Sequence, residues 1–110
     1  MTYIPDRGDI IWINFDPQVG HEQAGHRPAL VVSRRSYNRA SELMICFPIR
    51  SRKKGYGFEV PLPGSFEVKG VVLADQVKSM DWRLRKARFF AKAPDTVLAD
   101  TLGKLKALVR

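Results

Sequence analysis

The sequence predicts a mainly β chain, a small and strongly curved barrel of short strands with short helices and a helix at its C-terminus. Three observations predict it. Short apolar runs rich in β-branched and aromatic residues, separated by turn signals, fill most of the chain. Only after Pro94 does the apolar spacing become that of a helix. At 110 residues the chain is expected to be one domain, 1–110, with a single modest core, and no repeat, low-complexity tract or linker interrupts it.

Each element has its own signal. Ile10 to Phe15 (IIWINF) reads as a strand that ends at Asp16-Pro17. Pro28 to Ser33 (PALVVS) and Leu43 to Ile49 (LMICFPI) follow, with Pro48 expected at an edge or a strand end. Between them, Arg34 to Ser41 is expected to form one or two helical turns. Gly57 to Leu62 (GFEVPL) alternates, placing Phe58, Val60 and Leu62 on one face and Glu59 on the other. Gly70 to Val77 (GVVLADQV) reads as a strand bounded by Gly70 and interrupted by Asp75 and Gln76, and Arg85 to Ala93 (RKARFFAKA) as a basic strand whose Phe89 and Phe90 face opposite sides. In the last segment Pro94 suits a first helical turn, and Asp95 complements its positive end. Leu98, Leu102, Leu105 and Val109 then share one face, and Gly103 is expected to mark a close packing contact.

Charge and cysteine usage narrow the function classes. Nineteen Lys and Arg against 11 Asp and Glu give a formal charge of +8. That excess favours polyanions: nucleic acid first, then acidic protein segments or anionic membrane. No apolar run approaches the roughly 20 residues that span a bilayer, and MTYIPDRGD lacks the pattern of a signal peptide. The expectation is a cytoplasmic protein with no membrane partner. Cys46, the single cysteine, is expected to be a small buried hydrophobe. The cations cluster: Arg50, Arg52, Lys53 and Lys54 form one block, and Arg83, Arg85, Lys86, Arg88 and Lys92 a second without an intervening acid. Most such runs are solvated faces. Here Tyr56 and Phe58 lie near the first and Trp82 near the second, and cationic grooves with aromatic faces hold single-stranded nucleic acid. The same aromatics serve equally as core or barrel-end packing.

Gly20 to Ser33 (GHEQAGHRPALVVS) carries the densest chemistry. A loop with His21, Glu22, His26 and Arg27 runs straight into an apolar strand, an inventory that suits a phosphodiester. Arg grips phosphate bidentately, and a carboxylate or imidazole moves a proton. Pro28 pushes Arg27 into an extended conformation before the strand. One Cys and two loop histidines make no zinc ligand set. There is also no P-loop, dinucleotide fingerprint or serine elbow. The expectation is therefore no metal and no cofactor, with side chains and substrate doing the chemistry.

Three segments, Gly8 to Ser33, Cys46 to Val60 and Gly70 to Arg83, resemble the MazF/PemK family of toxins from bacterial toxin–antitoxin pairs, the MazF branch above all. The resemblance implies an SH3-like small barrel, related to that of the gyrase poison CcdB, and a homodimer. It implies a sequence-specific, metal-independent endoribonuclease acting on single-stranded RNA (mRNA), held in check by an acidic MazE-like antitoxin lying in the RNA groove. By position, Glu22 and Arg27 match the family's acid–base carboxylate and phosphate-gripping arginine. Attack of a 2′-hydroxyl on the adjacent phosphate, leaving 2′,3′-cyclic phosphate and 5′-hydroxyl ends, needs a proton acceptor, a donor and positive charge on the phosphorane. Glu22 can accept and Arg27 can stabilise charge; the donor is left open, with His26 one candidate.

Asp75, Gln76, Lys78 and Ser79 match a later family segment where side chains approach RNA, the first two reading base edges and Lys78 a phosphate. A plain strand-end turn is the competing reading for Asp75. One departure stands out in Pro48-Ile49-Arg50-Ser51: the family's usual first threonine is replaced by Arg50, while Ser51 keeps the second hydroxyl. Arg50 is expected to add charge at the phosphate or to shift cleavage preference. Alternatives on the same fold are a non-catalytic RNA-binding module and a CcdB-like protein-binding toxin. The chain ends KALVR and lacks the Trp-Gly-Ile that the CcdB-like toxin uses.

Overall fold

The computed structural model describes residues 2–16 and 25–110, so His21 and Glu22 lie outside the described residues. Among the described residues, seven strands and two helices follow in the order β1 (Asp9–Asn14), β2 (His26–Val31), α1 (Arg35–Ser41), β3 (Leu43–Arg50), β4 (Glu59–Pro61), β5 (Val71–Leu73), β6 (Lys78–Asp81), β7 (Arg88–Lys92) and α2 (Asp95–Val109). The sheet runs β4-β5-β3-β2-β1-β7, with β6 also paired to β3. Every pairing is antiparallel.

β3 organises the sheet. Its first half pairs with β6 from Leu43↔Asp81 to Cys46↔Lys78, and its end pairs with β5 at Ile49↔Val72 and Arg50↔Val71. The run over residues 70–77, which reads in the sequence as a strand interrupted at Asp75 and Gln76, holds only β5: the chain turns at Ala74 and Asp75, and β6 begins beyond the run, at Lys78. Pro48, expected at an edge or an end, sits inside this central strand opposite Ala29. The reason is local. The Ile45 N–H bonds Ser33 Oγ, and its carbonyl accepts from the Val32 N–H, so residue 45 turns its backbone groups toward the β2 side. By alternation the Pro48 nitrogen points the other way, into the gap between β6 and β5, where no ladder bond is lost.

Two apolar clusters flank the sheet. Ile10, Leu30, Phe47, Ile49, Val60 and Val72 belong to one, which α2 covers with Val97, Leu98, Leu102 and Leu105. Ile11, Ile13, Ala29, Val31, Met44, Cys46, Met80 and Trp82 make the other. Each fully buried Ile or Leu contributes roughly 2 kcal/mol. The edge strands β4 and β7 do not pair with each other among the described residues, so the curved sheet is not closed by hydrogen bonds. Instead α2, which follows β7, packs against β4.

Two local expectations change. In α2 the buried positions are Val97 and Thr101, with Leu98, Leu102 and Leu105 beside them, whereas Val109 is 72% exposed. The buried stripe is rotated by one residue because Thr101 satisfies its hydroxyl on the Val97 carbonyl at 2.8 Å. Gly103 marks no close packing contact: among the described residues a Cβ there meets no atom within 4 Å beyond its own helix backbone. Glu59 lies on the face opposite Val60, as expected, and is buried there. Other expectations hold. Phe89 meets Tyr3 edge-on and Phe90 meets Trp12, on opposite faces of β7. Cys46 is fully buried.

Behind α1, Asn38 is a buried polar hub. Its side-chain amide donates to the Pro5 and Ser33 carbonyls and accepts from Ser33 Oγ, while its own carbonyl accepts from Trp82 Nε1 at 2.8 Å. Trp82 therefore belongs to the core and not to a nucleic-acid face.

Candidate active site

At the end of the β1–β2 hairpin, backbone and side-chain hydrogen bonds hold the mouth of the polar loop together. The Phe15 N–H donates to the Gly25 carbonyl at 2.9 Å, and the Gly25 N–H donates to Asp16 Oδ1 at 2.8 Å. Gly25 has φ +76°, which a side chain would strain. Arg85 reinforces the mouth, its Nη1 donating to the carbonyls of Asn14 and Asp16, both at 3.0 Å. Its guanidinium is thus a brace for the loop base, where the sequence suggested an RNA contact.

Arg27 stands two residues past this mouth, paired with Ile13 on β1 and half-buried. Alternation along β2 puts it on the face of Ala29 and Val31. Val31, Cys46 and Lys78 lie in one row across β2, β3 and β6, so Lys78 shares that face. Burial pushes the Cys46 thiol up to about 12, with Arg85 and Lys78 pulling it the other way. Cys46 is therefore an inert filler beneath the cations and no nucleophile. His26, paired with Asn14, falls on the opposite face of β2 from Arg27. Ser79 likewise alternates away from Lys78. The structure does not bring these two to the Arg27 face.

A second loop, residues 51–58, begins at the same end of the sheet, because β2 starts where the antiparallel β3 ends. Ser51, Arg52, Lys53, Lys54 and Tyr56 are all exposed. Tyr56 stacks on Phe58 with centroids 5.4 Å apart, leaving an aromatic face to solvent. Gly70, at φ +119°, lies against the Arg50 carbonyl, and a Cβ there would also come within 2.9 Å of Ser51 Cα. Only glycine fits, and it fixes where Ser51 leaves the sheet. Arg50 points inward instead of outward: its guanidinium is ion-paired with Glu59. Asp75 is exposed and Gln76 half-buried, in the turn that bridges β5 and β6 beside Pro48.

The second basic block does not form a uniform strip. Arg83 is exposed and pairs with Glu42 at 3.2 Å, at the far end of β3, and Lys92 pairs with Asp9 at 2.8 Å. Glu59 and Gly70 are the residues that sequence reasoning missed. A faint signal was present: an arginine in place of a hydroxyl, nine positions before an acid on an otherwise apolar strand. Among the described residues no group of three His, Cys, Asp or Glu could hold a metal ion.

The sequence model of the PemK-like, MazF-like toxins of type II toxin–antitoxin systems matches residues 6–109. This chain belongs to that family. It is 49% identical over 107 residues to the endoribonuclease toxin MazF of Escherichia coli (strain K12), covering 97% of this chain and 92% of that one. The crystal structure of MazF (Form-I) from Deinococcus radiodurans matches with a TM-score of 0.95 and 54% identity, covering 98% of each chain. A chain of the MazE–MazF (Form-II) crystal structure from the same organism matches at 0.89 and 54%, covering 98% of this chain and 97% of that one. The mainly β, MazF-like fold with a C-terminal helix is thus the fold of this PemK/MazF-like toxin. Its half-buried Arg27 and exposed 51–56 loop, brought to one end of the sheet, are the places to look for its chemistry.

Proposed function

We propose that the chain is an endoribonuclease toxin of a type II toxin–antitoxin system, cutting single-stranded RNA by attack of its own 2′-hydroxyl. The family match over residues 6–109 carries this reading, and the Arg27 face supplies a mechanism. Glu22 takes the 2′-hydroxyl proton, while Arg27 binds the phosphate bidentately and stabilises the charge of the phosphorane. Ser51, fixed by Gly70, offers a hydroxyl to a phosphate oxygen. His26 faces away and is not used as the donor; the departing 5′-oxygen takes its proton from solvent water, giving the 5′-hydroxyl end. Arg52, Lys53 and Lys54 hold flanking phosphates, Tyr56 stacks a base, Asp75 and Gln76 read base edges, and Lys78 meets a further phosphate. No metal enters the reaction.

Two chains form a homodimer in this reading, since one short basic loop spans few nucleotides and a two-fold pair is the commonest assembly. An acidic, extended MazE-like antitoxin covers the same cations, which the MazE–MazF complexes of the Deinococcus radiodurans relatives support. No helix among the described residues is long and apolar enough to cross a membrane, and the proposed site of action is the cytoplasm. The test is incubation of the purified protein with single-stranded RNA in EDTA. Cleavage to cyclic-phosphate and 5′-hydroxyl ends is expected, and the same RNA in a duplex should resist. Activity that vanishes in EDTA and returns with magnesium overturns the mechanism.

A further inference from the structure

The basic loop after β3 is folded around a carboxylate. The Glu59 side chain is 1% exposed and that of Arg50 16%. Besides the Arg50 guanidinium, Glu59 accepts the Lys54 N–H at 3.0 Å on Oε2 and the Gly55 N–H at 2.9 Å on Oε1. Arg50 is held at a second point, its Nε–H donating to the Arg52 carbonyl at 2.9 Å. The chain from Arg50 to Gly55 therefore closes on one buried anion, with the intervening side chains turned out to solvent. Gly55 takes φ +89° to present its N–H inward. An arginine so engaged has its charge matched inside the protein, which a phosphate contact would have to undo.

We infer that Glu59 is a positioning residue for RNA and that Arg50 acts through it: the pair shapes the loop that carries Ser51, Arg52, Lys53, Lys54 and Tyr56, and Arg50 makes no phosphate contact of its own. This rests on the RNA-cutting reading above. It also accounts for the arginine where the family's usual threonine stands. The inference has a sign that bulk electrostatics does not share. Glu59→Gln raises the formal charge of +8 by one, so a charge argument makes RNA bind more tightly. Positioning makes it bind more weakly.

The experiment measures binding of a short single-stranded 2′-O-methyl RNA, which has no attacking hydroxyl, to wild type, Glu59→Gln, Arg50→Met and the double variant. Hydrogen exchange of the Lys54 and Gly55 amides is read in each. The expected result is affinity lowered at least about tenfold in both single variants, since misplacement by about an ångström costs as much or more. The double variant should be no worse than the worse single one, and both amides should lose protection. Unchanged or tighter binding by folded Glu59→Gln overturns the inference. If Glu59→Gln does not fold, the amides of Arg50→Met decide, and wild-type protection there overturns it. A wild type that neither binds nor cuts RNA, with both amides protected, overturns the proposed function instead.

Discussion

Arg27 draws its proposed role from where it sits, two residues beyond a hydrogen-bonded loop mouth, on the β2 face that also carries Lys78. Removing a charged donor to a transition state lowers a rate by about a hundredfold or more. Arg27→Ala should lose cleavage to at least that extent while its circular dichroism stays that of wild type; near-normal turnover in the folded variant removes Arg27 from the mechanism. Cys46 illustrates a different use of the same face. Burial raises its thiol from an ordinary 9.0 to about 12, so the neutral form is favoured in the folded state. The unfolded thiol ionises first, and this contribution to stability is complete below pH 9 and disappears as the pH climbs toward 12. Between pH 8 and 11, wild type should lose more of its urea midpoint than Cys46→Val, and native Cys46 should resist iodoacetamide at neutral pH. Equal alkaline losses in the two proteins contradict this account. The sequence suggested a buried Cys46, because its neighbours are apolar. For a buried Glu59 it held only the faint signal of Arg50 nine positions earlier, because one acid on an alternating strand looks solvated until Arg50 is brought beside it.

At the scale of elements, strands β1, β2 and β3 were legible to within a few residues, since β-branched and aromatic runs bounded by turns leave little choice. The break at Asp75 and Gln76 was legible, but the separate strand β6 beyond it was not. It depends on β3 offering its two halves to different partners, a contact decided far away in sequence. Helix α2 was legible as a helix, but its buried face centres on Val97 and Thr101, and a threonine gives no apolar signal. Gly103 makes the contrast testable. With open space around it, Gly103→Ala should stabilise the protein by about 1 kcal/mol through helix propensity alone. In a protein of this size that raises Tm by roughly 4 °C. A lower Tm in the scan means that a partner surface packs on Gly103.

For the whole molecule, charge governs what it meets. The cations of the 51–54 segment are exposed, whereas Arg50, Arg83, Arg85 and Lys92 are each engaged within the chain. Replacing Arg52, Lys53 and Lys54 together by alanine should weaken binding of both single-stranded RNA and an acidic antitoxin segment. For RNA, the slope of log K against log salt should shrink by about 2, at roughly 0.7 per phosphate contact. An unchanged slope places the RNA elsewhere. Composition, the strand-to-helix change of period and three long segments sufficed for the sequence to determine a small basic β protein with MazF/PemK character, because local propensity, patterning and motif order are properties of the chain itself. Tertiary structure alone decided which cations face outward. Arg50 and Arg52 are chemically alike and two residues apart, yet one is turned in by a carboxylate nine positions away and the other is left for a partner. Only folding creates that difference, because it depends on which groups the closed loop places within hydrogen-bond reach of Glu59.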